Sequence, residues 1–185
     1  SNFNFFENLL HLDDLHQTPV SSPISVPGIL SYKYRMEETY VENGLTICKI
    51  KIIPRNTATT TLEGYIYVID SLFLIQKLQL TMNKGNLLIY DHFEIDQTFS
   101  IVGDTMCVLD KQVLSYGVKY KNETSACQTT ALFTNYNFDP EFSKKFFNTE
   151  LAVTTKEAYE RDTNYWSSAR QTSLSAEEQR FIIIK

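Results

Sequence analysis

The sequence predicts an α+β protein whose main element is a curved, mostly antiparallel β-meander of about seven strands, a half-open barrel with flanking helices. Apolar and polar residues alternate with a period of two over much of residues 29–138, which is typical of half-buried strands. The links between these runs are short, and short links favour antiparallel neighbours because a parallel pair needs a crossover of about a dozen residues. Twelve Phe and eleven Tyr also favour strands, because aromatic side chains fit a pleated surface.

The first two predicted strands form a hairpin. In the first strand Tyr32 and Tyr34 share one face, and charged residues occupy the other. Asn43 and Gly44 then predict a type I′ turn, because both central positions of that turn need positive φ. The second strand alternates isoleucine with lysine and ends at Pro54, which cannot donate a ladder hydrogen bond.

The later strands continue this arrangement. The run from Tyr65 to Ile69 is apolar or aromatic throughout, which predicts a strand buried on both faces. Turns are predicted at Asp70 and Ser71 and around Gly85. The predicted strands cover residues 31–41, 45–53, 63–69, 74–82, 88–101, 105–120 and 125–138.

Helices are predicted before and after this sheet along the chain. Near the start, apolar residues recur at helical spacing at Phe3, Phe6, Leu9 and Leu10, and prolines 19, 23 and 27 then predict an extended lead-in. We expect a single domain over 1–185, with the N-terminal helix and proline-rich lead-in over 1–28, the antiparallel sheet over 29–138 and C-terminal helices over 139–185.

The C-terminal helices are predicted from their capping residues. Asp139 followed by Pro140 favours a helix start, because an acceptor at the N-cap and proline at the first helical position are both preferred. A hydroxyl residue followed three positions later by glutamate forms a capping box, and this pattern begins at Thr154 and again at Ser175. Aromatic residues such as Trp166 follow, and we expect them to face inwards.

Charge and hydropathy exclude two classes of partner. The net charge of -5 at pH 7 argues against nucleic acid, which needs a clustered basic face. The longest apolar runs are far shorter than the roughly 20 residues of a membrane-spanning helix, so no membrane span is expected within the chain.

One strand carries a candidate metal site. Alternation places His92, Glu94 and Asp96 on one face, where an imidazole and two carboxylates could bind a divalent cation. Neighbouring side chains on one strand face are roughly 7 Å apart, so a metal would need further ligands from other strands. None is identifiable, and we favour a solvated strand face; no metal or other cofactor is expected.

The remaining histidines and the cysteines carry weaker signals. His11 and His16 flank two aspartates and are expected to be surface or capping residues. Cys48, Cys107 and Cys127 have wide spacings without a metal-ligand pattern, so we expect buried small hydrophobic residues, with one disulfide and one free thiol as the alternative.

No catalytic motif accompanies these residues. The sequence contains no nucleophile elbow, HExxH helix or glycine-rich phosphate loop. We therefore expect no enzyme activity and no catalytic residue. A hydrolase or metal-dependent enzyme that uses His92, Glu94 and Asp96 is the alternative.

Several segments together carry a family resemblance. They are PIS at 23–25, LSYKY at 30–34, IKIIP at 50–54, EGYIYVID at 63–70, FDPEF at 138–142, KFFN at 145–148, and Tyr165, Trp166, Arg170 and Leu174. The combination resembles the middle region of an uncharacterised family of large Bacteroidetes outer-membrane proteins that begin with a carboxypeptidase-regulatory-like β-sandwich and end in a predicted transmembrane β-barrel. The strand pattern is also similar to the lipoprotein-carrier fold, a half-open antiparallel barrel around a helix.

The resemblance implies a place in the cell envelope. The chain would be part of a larger protein and lie in the periplasm, between the sandwich and the barrel, with the rest of the parent chain or an envelope protein as its partner. No activity of the family transfers, and the carboxypeptidase in its name describes only the sandwich. We expect a non-enzymatic structural or interaction module; the alternative is a carrier-like module that binds a lipid or other apolar ligand in the concave face of the sheet.

Overall fold

The computed structural model describes two compact units, Ser1–Thr134 and Asn135–Lys185. Within them the described residues are 3–12, 15, 17–56, 60–87, 89–103, 105–120, 123–142, 156 and 160–183. In this part of the chain no helix is both long enough and apolar enough to cross a membrane.

The first unit is built on a seven-stranded antiparallel sheet in which each strand pairs with the next along the chain. A separate two-stranded sheet joins β1 (Leu9–Leu10) and β2 (Val20–Ser21). The large sheet consists of β3 (Tyr32–Glu42), β4 (Leu45–Pro54), β5 (Leu62–Ile69), β6 (Leu74–Met82), β7 (Tyr90–Val102), β8 (Met106–Tyr120) and β9 (Glu123–Leu132). Its edge strands β3 and β9 do not pair with each other, so the sheet is open, and the predicted fold class is confirmed.

Turn chemistry sets the register of this meander. Asn43 and Gly44 have φ values of 50° and 79°, which confirms the predicted turn between β3 and β4. Between β5 and β6 the chain turns through Phe73, whose φ is 55° and whose N–H donates to the carbonyl of Ile69 at 2.8 Å. These tight connections keep apolar residues of neighbouring strands on the same face of the sheet.

Gly64 marks a close approach between two strands. Its φ is +142°, and a Cβ built there would lie 2.0 Å from the carbonyl oxygen of Gln79 on β6. A glycine fits this position because it has no side chain to occupy that space.

The hydrophobic core covers one face of the large sheet, here called the inner face. Strand residues that are almost fully buried there include Ile52, Leu62, Leu78, Leu80 and Ile95. The chain before β3 supplies the opposing part of this core, with buried side chains at Phe3, Phe5, Leu10, Leu12, Leu15 and Val20. Residues 3–31, which we call the N-terminal segment, therefore pack on the inner face.

The predicted N-terminal helix is wrong. The described residues 3–12 contain turns and the short strand β1, and the first helix is the single turn α1 (Gly28–Ser31). Phe5 and Leu10 are buried, whereas Phe6 and Leu9 are 57% and 48% exposed, so burial does not follow the helical spacing. Contact with the sheet, and not the helical spacing of the apolar residues, determines the local structure here. An irregular chain can place its apolar side chains wherever the inner face has space for them.

The prediction that β5 is buried on both faces is only partly correct. Leu62 and Ile66 are buried on the inner face, but Tyr65 and Tyr67 on the outer face are half-buried. The outer face is fully covered only at Ile69, near the end of the strand.

In its described part, the second unit includes the short helices α2 (Thr163–Ala169) and α3 (Ala176–Ile183). Asp162 caps α2 by accepting from the N–H of Tyr165 at 2.8 Å. The capping box before α3 is confirmed: the Ser175 N–H donates to Glu178 Oε2 at 2.8 Å, and the Glu178 N–H donates to Ser175 Oγ at 3.3 Å. No side chain described in α2 is buried, and Trp166 is 43% exposed, so the expected inward aromatic face is wrong for α2.

Two predicted boundaries need correction. The last strand ends at Leu132 rather than near residue 138. The predicted helix start at Pro140 is wrong in its described part, because residues 139–142 are not helical. Asp139 there donates its own N–H to Asn137 Oδ1 at 3.1 Å, which is a local turn in place of a helix cap. The predicted continuation through residue 146 and the capping box at Thr154 lie outside the described residues.

Candidate functional site

The predicted metal-binding triad lies on one face of β7. His92 and Glu94 are exposed and Asp96 is half-buried, whereas Phe93 and Ile95 between them are buried on the inner face. The alternation predicted from the sequence is therefore confirmed for this strand.

The triad residues share a face without forming a cluster. The ring of His92 lies over Gly117 on β8, where a Cβ would come within 2.6 Å of the imidazole Nδ1. Asp96 is opposite Gln79 and Val113 in the strand register, and its Oδ1 is buried without a hydrogen-bond partner. Across the described ranges, no three His, Cys, Asp or Glu residues come together as a metal site would require.

The other candidate residues are dispersed. His11 is exposed, as expected, and His16 lies outside the described residues. Cys48 is buried, as predicted, but Cys107 is only half-buried and Cys127 is exposed; all three are free thiols. The prediction that Cys127 is buried is wrong, because β9 is an edge strand with solvent beside it.

Side chains of the N-terminal segment occupy much of the inner face. Gln97 donates through Nε2 to the Phe3 carbonyl at 2.7 Å and to Gln112 Oε1 at 2.8 Å, which fixes the start of the N-terminal segment to β7 and β8. A cleft of about 230 Å³ remains beside Phe3, Phe6, Gln97, Phe99 and Leu109. Pockets for small-molecule ligands usually measure about 300–1,000 Å³, so this space is small for an acyl chain.

The centre of the outer face carries five interleaved side chains, Lys49, Lys51, Tyr65, Tyr67 and Lys77, which we call the lysine–tyrosine ladder. The Lys49 amine lies 4.6 Å from the ring centroid of Tyr65 and 5.9 Å from that of Tyr67. Lys51 approaches the Tyr65 ring at 5.8 Å, and Lys77 approaches the Tyr67 ring at 5.8 Å. These distances are within the range of cation–π attraction, so the rings hold the three ammonium groups in place.

Strand register produces the ladder. Lys51 is the direct partner of Tyr65, and Lys49 that of Tyr67, across β4 and β5. Tyr67 is in turn the partner of Lys77 across β5 and β6. The alternation of lysine in β4 and tyrosine in β5 is visible in the sequence, but only the register shows that the two rows meet.

Further charges border the ladder on β3. Arg35 is the direct partner of Lys51 and forms an ion pair with Glu37. The hydrogen bond from Arg35 holds the pKa of the Glu37 carboxyl below its usual value, and the positive charges of Arg35, Lys51 and Lys49 act in the same direction. Two positive side chains thus face each other directly across β3 and β4.

Comparison with protein-family models gives one match. The model described as "Family of unknown function (DUF5686)" matches residues 1–136. The chain belongs to this family. No curated protein and no solved structure matches it.

The DUF5686 match coincides closely with the first structural unit, Ser1–Thr134. It contains the N-terminal segment, the whole seven-stranded sheet and both surfaces described above. The helices α2 and α3 lie beyond the matched residues. In this DUF5686 member, the family match therefore covers the sheet together with the segment that packs on it.

Proposed function

We propose that this DUF5686 chain is a non-enzymatic structural and interaction module of a larger outer-membrane protein and that it lies at the periplasmic face of the outer membrane. One observation carries the module role: the inner face is filled by the chain's own N-terminal segment. The outer face and the strand edges are then the surfaces that can meet another molecule.

The N-terminal segment is attached to the sheet at several points. The Tyr32 hydroxyl donates to the Ser21 carbonyl at 2.8 Å, and the Tyr34 hydroxyl donates to the Pro23 carbonyl at 2.8 Å. Ser22, which is fully buried, donates through Oγ to the Phe5 carbonyl. Hydrogen bonds of this kind each contribute about 0.5–1.5 kcal/mol, so together they favour a permanently filled face.

The proposed envelope location is supported by the sequence resemblance. Two of its segments, at 23–25 and 30–34, contain Pro23 and Tyr34, which join the N-terminal segment to β3. The resemblance therefore includes residues that build this architecture. The cleft of about 230 Å³ beside Phe3 and Phe99 on the inner face is small for the ligand that the carrier-like alternative requires.

A deletion in the parent gene tests the module role. Removal of the codons for residues 1–134 is expected to impair assembly of the parent protein or its recovery with envelope partners. Unchanged assembly and unchanged partner recovery, measured by affinity purification from crosslinked cells, would contradict the proposal.

Location and carrier activity need separate tests. A tag on the first unit is expected to resist protease in intact cells and to become accessible once the outer membrane is permeabilised. Persistent protection after that step, with release only on cell lysis, would contradict the periplasmic placement. Native mass spectrometry of the purified chain is expected to give the bare polypeptide mass, and a co-purified lipid would instead support the carrier alternative.

A further inference from the structure

The three ammonium groups of the lysine–tyrosine ladder have no carboxylate partner within ion-pair distance among the described residues. Lys49, Lys51 and Lys77 are half-buried rather than extended into solvent. Each ammonium carries three N–H donors and no acceptor, and contact with a ring leaves donors that can bind an oxygen. The ladder therefore presents donors in positions that are already fixed, which lowers the entropic cost of binding.

The local charge favours an anion. Arg35 and Lys51 are direct cross-strand partners, and like charges in this arrangement destabilise a sheet. With Lys49 and Lys77 they form four positive charges, against two carboxylates on β3: Glu37, which pairs with Arg35, and Glu38, which is the direct cross-strand partner of Lys49. An anionic ligand on the ladder would relieve this repulsion.

The positively charged surface around the lysine–tyrosine ladder is narrow. In the strand register, Glu63 and Glu94 belong to a row on one side of the ladder, and Glu42 lies towards the hairpin end on the other. All three carboxylates are on exposed residues. A flat anionic membrane would meet these carboxylates as well as the lysines, so the pattern favours a thin, linear ligand.

The spacing matches an extended chain. Lys49 and Lys51 are two residues apart on one strand face, a separation of roughly 7 Å. Carboxylates at alternate positions of an extended peptide have the same spacing. We propose that the lysine–tyrosine ladder binds an extended acidic peptide segment of a partner protein, whose alternate carboxylates accept hydrogen bonds from Lys49 and Lys51, while Lys77, two strands to the side of Lys49, binds a flanking carboxylate. This inference rests on the proposed role as an interaction module and names the chemistry of the partner.

A synthetic peptide tests the inference. The probe is a fluorescein-labelled octapeptide in which glutamate alternates with threonine, titrated with the full 185-residue chain by fluorescence anisotropy. Binding is expected to weaken as salt is raised, because exposed charge pairs are screened. The double variant Lys49→Gln/Lys77→Gln is expected to bind about tenfold more weakly, since it removes two charge contacts.

Matched variants separate charge from position. The pair Lys84→Gln/Lys156→Gln makes the same charge change outside the ladder, and it is expected to change the affinity less than about twofold. Lys49→Arg/Lys77→Arg keeps the charge and should retain most of the binding. Circular dichroism and thermal melting of each variant check that the sheet is folded.

Three results with the purified chain would overturn the inference. They are an absence of peptide binding, an equal loss of affinity in the ladder variant and its control, and ladder-dependent binding to phosphatidylglycerol vesicles in place of the peptide. If the ladder variant keeps its partners in cells while the deletion of residues 1–134 loses them, the inference fails and the module role stands.

Discussion

Substitution of Gly64 is the most direct test of how the sheet is assembled. Gly64→Ala places a methyl group 2.0 Å from the carbonyl oxygen of Gln79 and 3.1 Å from the Leu80 Cα. Both are backbone atoms of the neighbouring strand, so no side chain can rotate away to make room. The variant must therefore separate β5 from β6 or bend one of them.

The magnitude has two parts. The φ of +142° is a backbone conformation that non-glycine residues rarely adopt, and holding alanine there costs about 1–3 kcal/mol. Overpacking against a backbone adds about 1–3 kcal/mol. We expect Gly64→Ala to lower the free energy of unfolding by about 3–5 kcal/mol, a large fraction of the stability of an ordinary domain.

Gly44→Ala is the matched control. Gly44 also has positive φ, +79°, but a Cβ there meets nothing within 4 Å, so only the conformational cost of about 1–2 kcal/mol applies. Urea unfolding monitored by far-ultraviolet circular dichroism gives the free energy of unfolding of both variants. The slope of this free energy against urea concentration should be the same in both. Equal losses in the two variants would refute the close approach of β5 to Gln79.

Three further predictions follow from the core, a buried tyrosine and a helix cap. Phe5→Ala should lower the free energy of unfolding by about 3–5 kcal/mol in urea titration, whereas exposed Phe6→Ala should cost under about 1 kcal/mol; similar values would contradict the filled inner face. Burial raises the pKa of Tyr32 to about 12, so its contribution to stability is complete below pH 10 and is lost as the pH rises through about 12; Tyr32→Phe should remove the latest step from an absorbance titration at alkaline pH. Hydrogen bonds from the backbone N–H and the side chain of Ser175 lower the pKa of Glu178, so α3 should lose helicity as the pH falls through that lowered pKa. Ser175→Ala keeps the backbone N–H, so the pKa measured by NMR should rise only part of the way to its usual value; a full return to that value would contradict the bond from the backbone N–H.

Alternation and turn chemistry explain why the sheet could be predicted. A strand has a period of two whatever lies beside it, and β7 with its buried Phe93 and Ile95 follows that period closely. The Asn43-Gly44 turn fixes its neighbours because few residue pairs adopt two positive φ values. Both signals are local, so they survive without knowledge of the tertiary structure.

The N-terminal segment lacked such a signal. The helical spacing of its apolar residues does not determine which of them are buried. Phe5 and Leu10 are buried because they fit the shape of the sheet that they cover. Tertiary contacts of this kind override local propensity. The lysine–tyrosine ladder was missed for a related reason, because each of its rows looks like the solvated side of a strand until the register between strands is known.

The attachment of the N-terminal segment determines which face of the sheet is covered. An open sheet with an apolar inner face must cover that face, either with a ligand or with its own chain. Here the cover is pinned by Gln97 on β7 and by Tyr32 and Tyr34 on β3, so it is held from strands near both sides of the sheet. Removing it would expose several large apolar side chains and break the hydrogen bond from Gln97 to the Phe3 carbonyl. The inner face is therefore occupied by the chain's own residues, and the outer face carries the lysine–tyrosine ladder, whose ammonium groups lie within cation–π distance of the rings.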